Sequence, residues 1–370
     1  MILFSAAWRL FFPASALFAG LALPLWLFLY AGRIEAMDDP LSWHMHEMLY
    51  GYLPAALAGF LLTAVPNWTR RPGLKGAPLA ALFGLWLAGR AAMFWAPESI
   101  GPLVAILFLP ALGAIVARDI IAANNRRNLV VVALIVLLSL AEITMHFIDS
   151  DTGITAGFAV SFVLMVLIGG RITPAFSRNW LMARGERAAL PAPFSPIDRA
   201  ALALSGAMAI SWAATGASAL TGVLAALAAL ALAARLARWQ ALRVAREVLL
   251  LAQHAAYLWL VIGAALLALA SLGDLASISQ VRHALGAGAV GTMTVIVMAR
   301  AMLGHSGRAI TGGLYDWLLF ALLHAGAALR VLAGWSAASD VMITAAGHMW
   351  ALAMLMFVAR TLPVALSARK

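Results

Sequence analysis

The charged residues divide this chain into apolar runs of about 20 residues, the length with which a helix crosses a ~30 Å hydrocarbon layer. That feature removes most folds. In lipid every backbone N–H and C=O must be bonded internally, so only helices and closed barrels span. The runs are continuously apolar and lack the in–out alternation of barrel strands. The expected fold is therefore all-α: a polytopic membrane helical bundle, one domain over residues 1–370, with no loop long enough to fold alone. Composition agrees. Hydrophobic residues make up 64% and charged residues 11%, too little charge to cover a soluble domain of this size.

Twelve spans are predicted. The first six are Leu10–Ala31, Trp43–Val65, Pro78–Trp95, Ile100–Ala117, Leu129–Ile148 and Ile154–Pro174. The seventh and eighth share Ala200–Ala234, broken near Gly216–Gly222. Val248–Leu272, His283–Leu303, Leu314–Gly334 and Val341–Leu362 complete the set. The first run is longer than the apolar core of a cleaved signal and reads as a retained helix.

Charge tests the count. With twelve crossings, all of the 25 Lys and Arg except Arg33, Arg90, Arg282 and Arg330 fall on the side of the N-terminus. Acids such as Glu35, Asp38, Asp39, Glu98, Asp149, Asp151, Asp274 and Asp340 fall opposite. The positive-inside bias then places both termini in the cytoplasm. It also accounts for the net charge of +10 without a nucleic-acid partner; membrane lipid is the partner instead. The segment Arg235–Glu247 spaces Arg235, Arg238, Arg243 and Arg246 near helical periodicity. It is expected to be a basic amphipathic helix on the anionic leaflet, with a regulatory partner site as the other reading.

The chain has no cysteine, which excludes thiolate ligation, iron–sulfur clusters and disulfides. His, Met, Tyr and carboxylates remain as candidate metal ligands. The densest such group is Trp43-His44-Met45-His46-Glu47-Met48 at the mouth of the second span. Ionisable groups in a membrane segment are costly and mark a functional site by default. Imidazole suits iron, copper and zinc, and thioether suits Cu(I). A polar interfacial turn anchored by Trp43 is the alternative.

His146 and Glu142 are i, i+4 on the fifth span and share a face. Such a carboxylate can hold the second ring nitrogen of a ligating His, or the pair can simply tie helices together. Glu47 lies i+3 from His44, and Tyr50 lies i+4 from His46. Arg90 is placed to pair with an acid or a propionate, or to snorkel. Gly304-His305-Ser306-Gly307-Arg308 closes the tenth span, either as a cradle for phosphate or propionate or as a C-cap. Pro66-Asn67-Trp68 and Arg178-Asn179-Trp180 lie at the ends of the second and sixth spans and hint at an internal repeat.

These stretches resemble the NnrS family of membrane proteins associated with nitric oxide. The resemblance rests on W-H-M-H-E-M-L-Y-G at 43–51, G-F-L-L-T-A-V-P-N-W-T at 59–69 and R-N-W-L at 178–181. It continues in H-A-A-Y-L-W-L at 254–260, H-A-L-G-A-G-A-V-G-T-M-T at 283–294 and M-A-R-A-M-L-G-H-S-G-R at 298–308. It implies a twelve-helix inner-membrane protein that carries haem b and copper and counters nitrosative stress by binding or detoxifying nitric oxide. On that basis His44, His46, His254, His283 and His305 are cofactor-binding candidates. His44, His46, His146 and His283 are candidate metal ligands, with Glu47, Tyr50, Glu142 and Arg308 supporting them. His324 and His348 lie outside the motifs. No C-x-x-C-H haem-attachment motif occurs, so turnover of nitric oxide would need a cytochrome or quinol electron donor. A secondary transporter with a His-lined proton or substrate path is the alternative function; it has little use for His on five helices.

Overall fold

The computed structural model describes residues 2–188 and 190–369, and no strand occurs among them. Its long helices are α1 Ala7–Tyr30, α2 Pro40–Thr69, α3 Ala77–Trp95, α4 Gly101–Ala122, α5 Arg126–Phe147 and α6 Ser150–Ala183. They continue as α7 Pro196–Thr215, α8 Ala219–Ala237, α9 Val248–Gly273, α10 Ile278–His305, α11 Leu314–Trp335 and α12 Ser339–Leu366. Among the described residues, eleven are long and apolar enough to cross a membrane. Helix α7 falls short because Asp198 and Arg199 occupy its first turn. The chain is thus a polytopic helical bundle.

Helix starts follow local chemistry. Asp39 caps α2 by accepting from Ser42 N–H at 2.9 Å, with Pro40 at the first position, where no N–H is needed. Helix α2 therefore begins before Trp43, earlier than predicted. Ser218 caps α8, and Gly216 at φ 62° makes the left-handed turn that divides the Ala-rich stretch. Ser277 and Gln280 form a capping box at the start of α10.

By contacts the chain forms two compact units. One comprises Met1–Gly157, Met298–Ile310 and Met354–Lys370; the other comprises Phe158–Val297 and Thr311–Ala353. In the first, α1 and α2 pack closely because Gly59 leaves room for Phe11 and Phe12. In the second, one arginine fastens several helices. Arg235 is buried and its Nε donates to Asp198 at 2.8 Å. Its terminal nitrogens donate to Val166 O at 3.2 Å, Tyr257 Oη at 3.0 Å and Gly170 O at 3.3 Å.

Two expectations change for physical reasons. Helix α6 was expected to end at Pro174 but runs to Ala183. Proline removes the N–H that would bond Gly170 O, and the Arg235 guanidinium supplies the missing donor. The Arg235–Glu247 segment is not an amphipathic surface helix. Arg235 lies in the last turn of α8, Arg235 and Arg238 both pair with Asp198, the latter at 2.7 Å, Trp239 and Val244 are buried, and beyond α8 the segment coils at Ala241–Val244, as a 3-10 turn. Internal ion pairing takes two of the four charges, Arg235 and Arg238, that a lipid surface was expected to take.

A Cβ at Gly170 would run into the Arg235 guanidinium. Gly170→Ala should therefore cost about 1–3 kcal/mol, as overpacking does, in equilibrium unfolding in mixed micelles. Gly206→Ala on α7, where nothing lies within 4 Å, should be neutral or slightly stabilising. Equal behaviour of the two variants would remove the Arg235 fastening as the reason α6 continues.

Candidate metal centre

The site is built where α2 changes its winding. Residues Glu47–Tyr52 form a π-helical turn directly after His46; such turns recur at functional sites because the extra residue re-aims side chains. Gly51 in this turn leaves space that Arg90 Nη1 and Glu47 Oε2 occupy. Its carbonyl accepts from Trp86 Nε1 at 2.9 Å, so α3 fixes the turn from outside.

His46 is fully buried. Its Nδ1 is 3.0 Å from Glu47 Oε1 and its Nε2 is 3.2 Å from Glu142 Oε1 on α5. The other Glu47 oxygen accepts from Arg90 Nη1 at 2.5 Å. The His146 ring lies 4.7 Å from the His46 ring, tilted by 53°. One ligand-type atom from each of His46, Glu142 and His146 falls within 4.8 Å of the others. All three belong to the same unit.

The hydrogen-bond inventory shows that the cluster fits a metal ion. A neutral imidazole has one N–H, yet both ring nitrogens of His46 face carboxylate oxygens. Glu47 satisfies one, and the other calls for a second proton or a cation. Glu142 Oε2 and His146 Nε2 are buried with no hydrogen-bond partner among the described residues. Buried polar atoms of this kind are costly unless something binds them. Glu47, itself clamped by Arg90, holds His46 through its second nitrogen, as carboxylates commonly do for a metal-bound imidazole.

The remaining sequence candidates are placed as follows. His44, two residues from His46, stacks on Trp26 of α1 with centroids 4.1 Å apart. His305 stacks on Trp8 at 6.4 Å. Trp8 and Trp26 are 18 residues apart on α1, about 27 Å along the helix, so His44 and His305 lie at opposite ends of it. Arg308 donates to Ser367 Oγ at 2.8 Å. Tyr50 donates its hydroxyl to Gly153 O at 2.7 Å, which ties α2 to α6. Glu142 pairs across helices with His46 instead of holding His146 on its own helix.

His254 and His283 belong to the other unit. His254 has Nδ1 at 2.8 Å from Leu250 O, and its Nε2 lies 3.3 Å from Trp239 O and 3.5 Å from Ser177 Oγ. His283 Nδ1 lies 2.7 Å from Ser279 O. Leu285 packs at Gly263, nine residues or about 13 Å along α9 from His254, so these two are not brought to one point either. His324 Nδ1 accepts from Trp259 Nε1 at 3.0 Å. His348 sits on an exposed face with Nδ1 on Thr344 O at 2.7 Å.

Sequence reasoning flagged Arg90 but not its partner, and it gave Trp86 and Gly51 no role. The glycine inside H-E-M-L-Y-G, one π turn after the histidine, was the available signal. A comparison with protein-family models matches residues 2–369 to the NnrS protein family. A search of curated proteins finds no match.

Proposed function

Since the chain belongs to the NnrS family, a family of membrane proteins linked to nitric oxide, we propose that it holds a copper ion at His46, His146 and Glu142 and uses it to bind or detoxify nitric oxide. The observation that carries this reading is His46 held between two buried carboxylates beside the unpartnered His146 Nε2. A copper ion held by these residues would supply a one-electron couple and a Lewis-acidic centre for a diatomic ligand. The chain's own residues do the rest. Glu47 orients the His46 ring, Arg90 cancels the Glu47 charge, and burial keeps water away. Two imidazoles and one carboxylate carry a single negative charge, so a monovalent ion leaves the site neutral and a divalent one does not. In low dielectric that difference favours the reduced ion.

The same two-His, one-carboxylate set also suits non-haem iron. Haem b, which the resemblance implies, is not supported in the same way. In the first unit His44 and His305 occupy opposite ends of α1, and in the second the two ring nitrogens of His254 face the carbonyls of Leu250 and Trp239.

The test is metal analysis of the detergent-purified protein beside oxidised and reduced absorption spectra, with and without nitric oxide. About one copper per chain and a spectrum that changes with nitric oxide is the expected result. Iron in place of copper would keep the site and change its ion. A colourless, metal-free protein from replete cells would overturn the reading and make the cluster a proton or substrate path of a transporter.

A further inference from the structure

We propose that Arg9 and Arg308 form a binding site for a phosphate group, either the headgroup phosphate of an anionic lipid or free phosphate. Arg9 is buried in the first turn of α1, and its Nη1 donates to Ala365 O and Ser367 O, each at 2.7 Å. Arg308, just past the end of α10, donates its Nη2 to Ser367 Oγ at 2.8 Å. Two guanidiniums thus meet on one residue, and the Arg308 charge acts on Arg9. The charge of Arg369 acts on the neighbouring His305.

No described carboxylate neutralises the pair. The ion-paired acids of this unit are committed elsewhere, Asp119 to Arg71 and Arg118, Glu47 to Arg90 and His46, and Glu142 to His46. Neutral carbonyls and one hydroxyl are the hydrogen-bond acceptors the two cations have. Buried charge of one sign is costly unless a counter-ion joins it. Arg308 Nη1 is also shielded from solvent and has no partner among the described residues, so a donor is left for that counter-ion. Guanidinium forks match phosphate oxygens in pairs. The place is suitable, since the start of α1 and the ends of α10 and α12 are helix ends, where lipid headgroups meet basic residues.

The test is native mass spectrometry of the detergent-solubilised full chain with phosphatidylglycerol, phosphatidylcholine and inorganic phosphate. The expected result is selective retention of phosphatidylglycerol, falling roughly fivefold in Arg308→Gln and partly restored in Arg308→Lys. Phosphate that binds alone and displaces the lipid identifies the free ion as the source; lipid retention that resists phosphate identifies the headgroup. Equal retention of both lipids without phosphate binding, or selectivity unchanged in Arg308→Gln, overturns the proposal. If Arg308→Gln does not fold, Arg308→Lys is read by the same ratio: lower selectivity than the parent supports the site, and an unchanged value removes it. Arg9→Gln is a poorer probe, because Arg9 also fastens α1 to the last turn of α12 and the residue just after it.

Discussion

Replacing His46 by alanine is expected to strip the metal from the protein, whereas His44→Ala, two residues away, should leave it bound. The two look equivalent in the motif W-H-M-H-E-M. On a helix, however, residues two apart point about 200° away from each other, so they cannot serve one site together. Packing decides between them: His44 lies against Trp26, and His46 faces Glu142 and His146. His146→Ala should behave like His46→Ala. Glu47→Gln keeps an oxygen for the His46 Nδ1 proton but loses its charge, and should weaken binding by about 10–100-fold, the usual cost of disturbing a partner of a ligating His. Metal content by elemental analysis, normalised to folded protein, checks the series. Full copper in His46→Ala, or equal losses in His44→Ala and His46→Ala, would dismantle the site described above.

Arg90→Met should be among the most destabilising single changes in the unit that contains it, at about 3–5 kcal/mol, because it leaves the Glu47 carboxylate buried without its counter-ion. Glu47 is fully buried and Arg90 nearly so, so water screens neither. The informative variant is the double one. Glu47→Gln with Arg90→Met removes both charges, and replacing both members of a buried pair is often close to neutral. The double variant should recover most of the stability lost by Arg90→Met alone while its metal affinity stays low. Equilibrium unfolding in mixed micelles, run as a double-mutant cycle, separates the two effects. If the losses simply add, the ion pair does not hold the π turn, and Gly51 and Trp86 must do so alone.

The two experiments read different layers of one structure. The ligand series asks what binds at the bottom of α2, and the charge cycle asks what keeps that part of α2 in shape. A variant that loses metal but keeps its stability belongs to the first layer. One that loses both belongs to the second, as Gly51→Ala should, because its new methyl group would compete with Arg90 for the same space.

Much of the fold was legible in the sequence because membrane helices are specified locally. A run of about 20 apolar residues has to be a helix in lipid, and caps such as Asp39, Ser218 and Ser277 mark where helices begin. The predicted spans and the observed helices accordingly agree to within a few residues at most ends. The exceptions are instructive. Helix α6 runs through Pro174 because a donor from α8 replaces the lost N–H, and the Arg235–Glu247 segment turns inward because Asp198 lies in reach of two of its arginines. Both depend on residues far apart in the chain.

The site divides the same way. That Glu142 and His146 share a face follows from their spacing alone; His44 and His46 were both expected as ligands, and only His46 faces Glu142 and His146. Which histidine turns inward, and that Glu142 on α5 reaches His46 across 96 positions, follow from how α1, α2, α3 and α5 pack. The sequence determined the helices and the set of groups able to bind a metal, because spacing and hydrophobicity act over one or two turns. The tertiary structure decided which of those groups meet, because the rotation of each helix about its axis is fixed by contacts that no local pattern records.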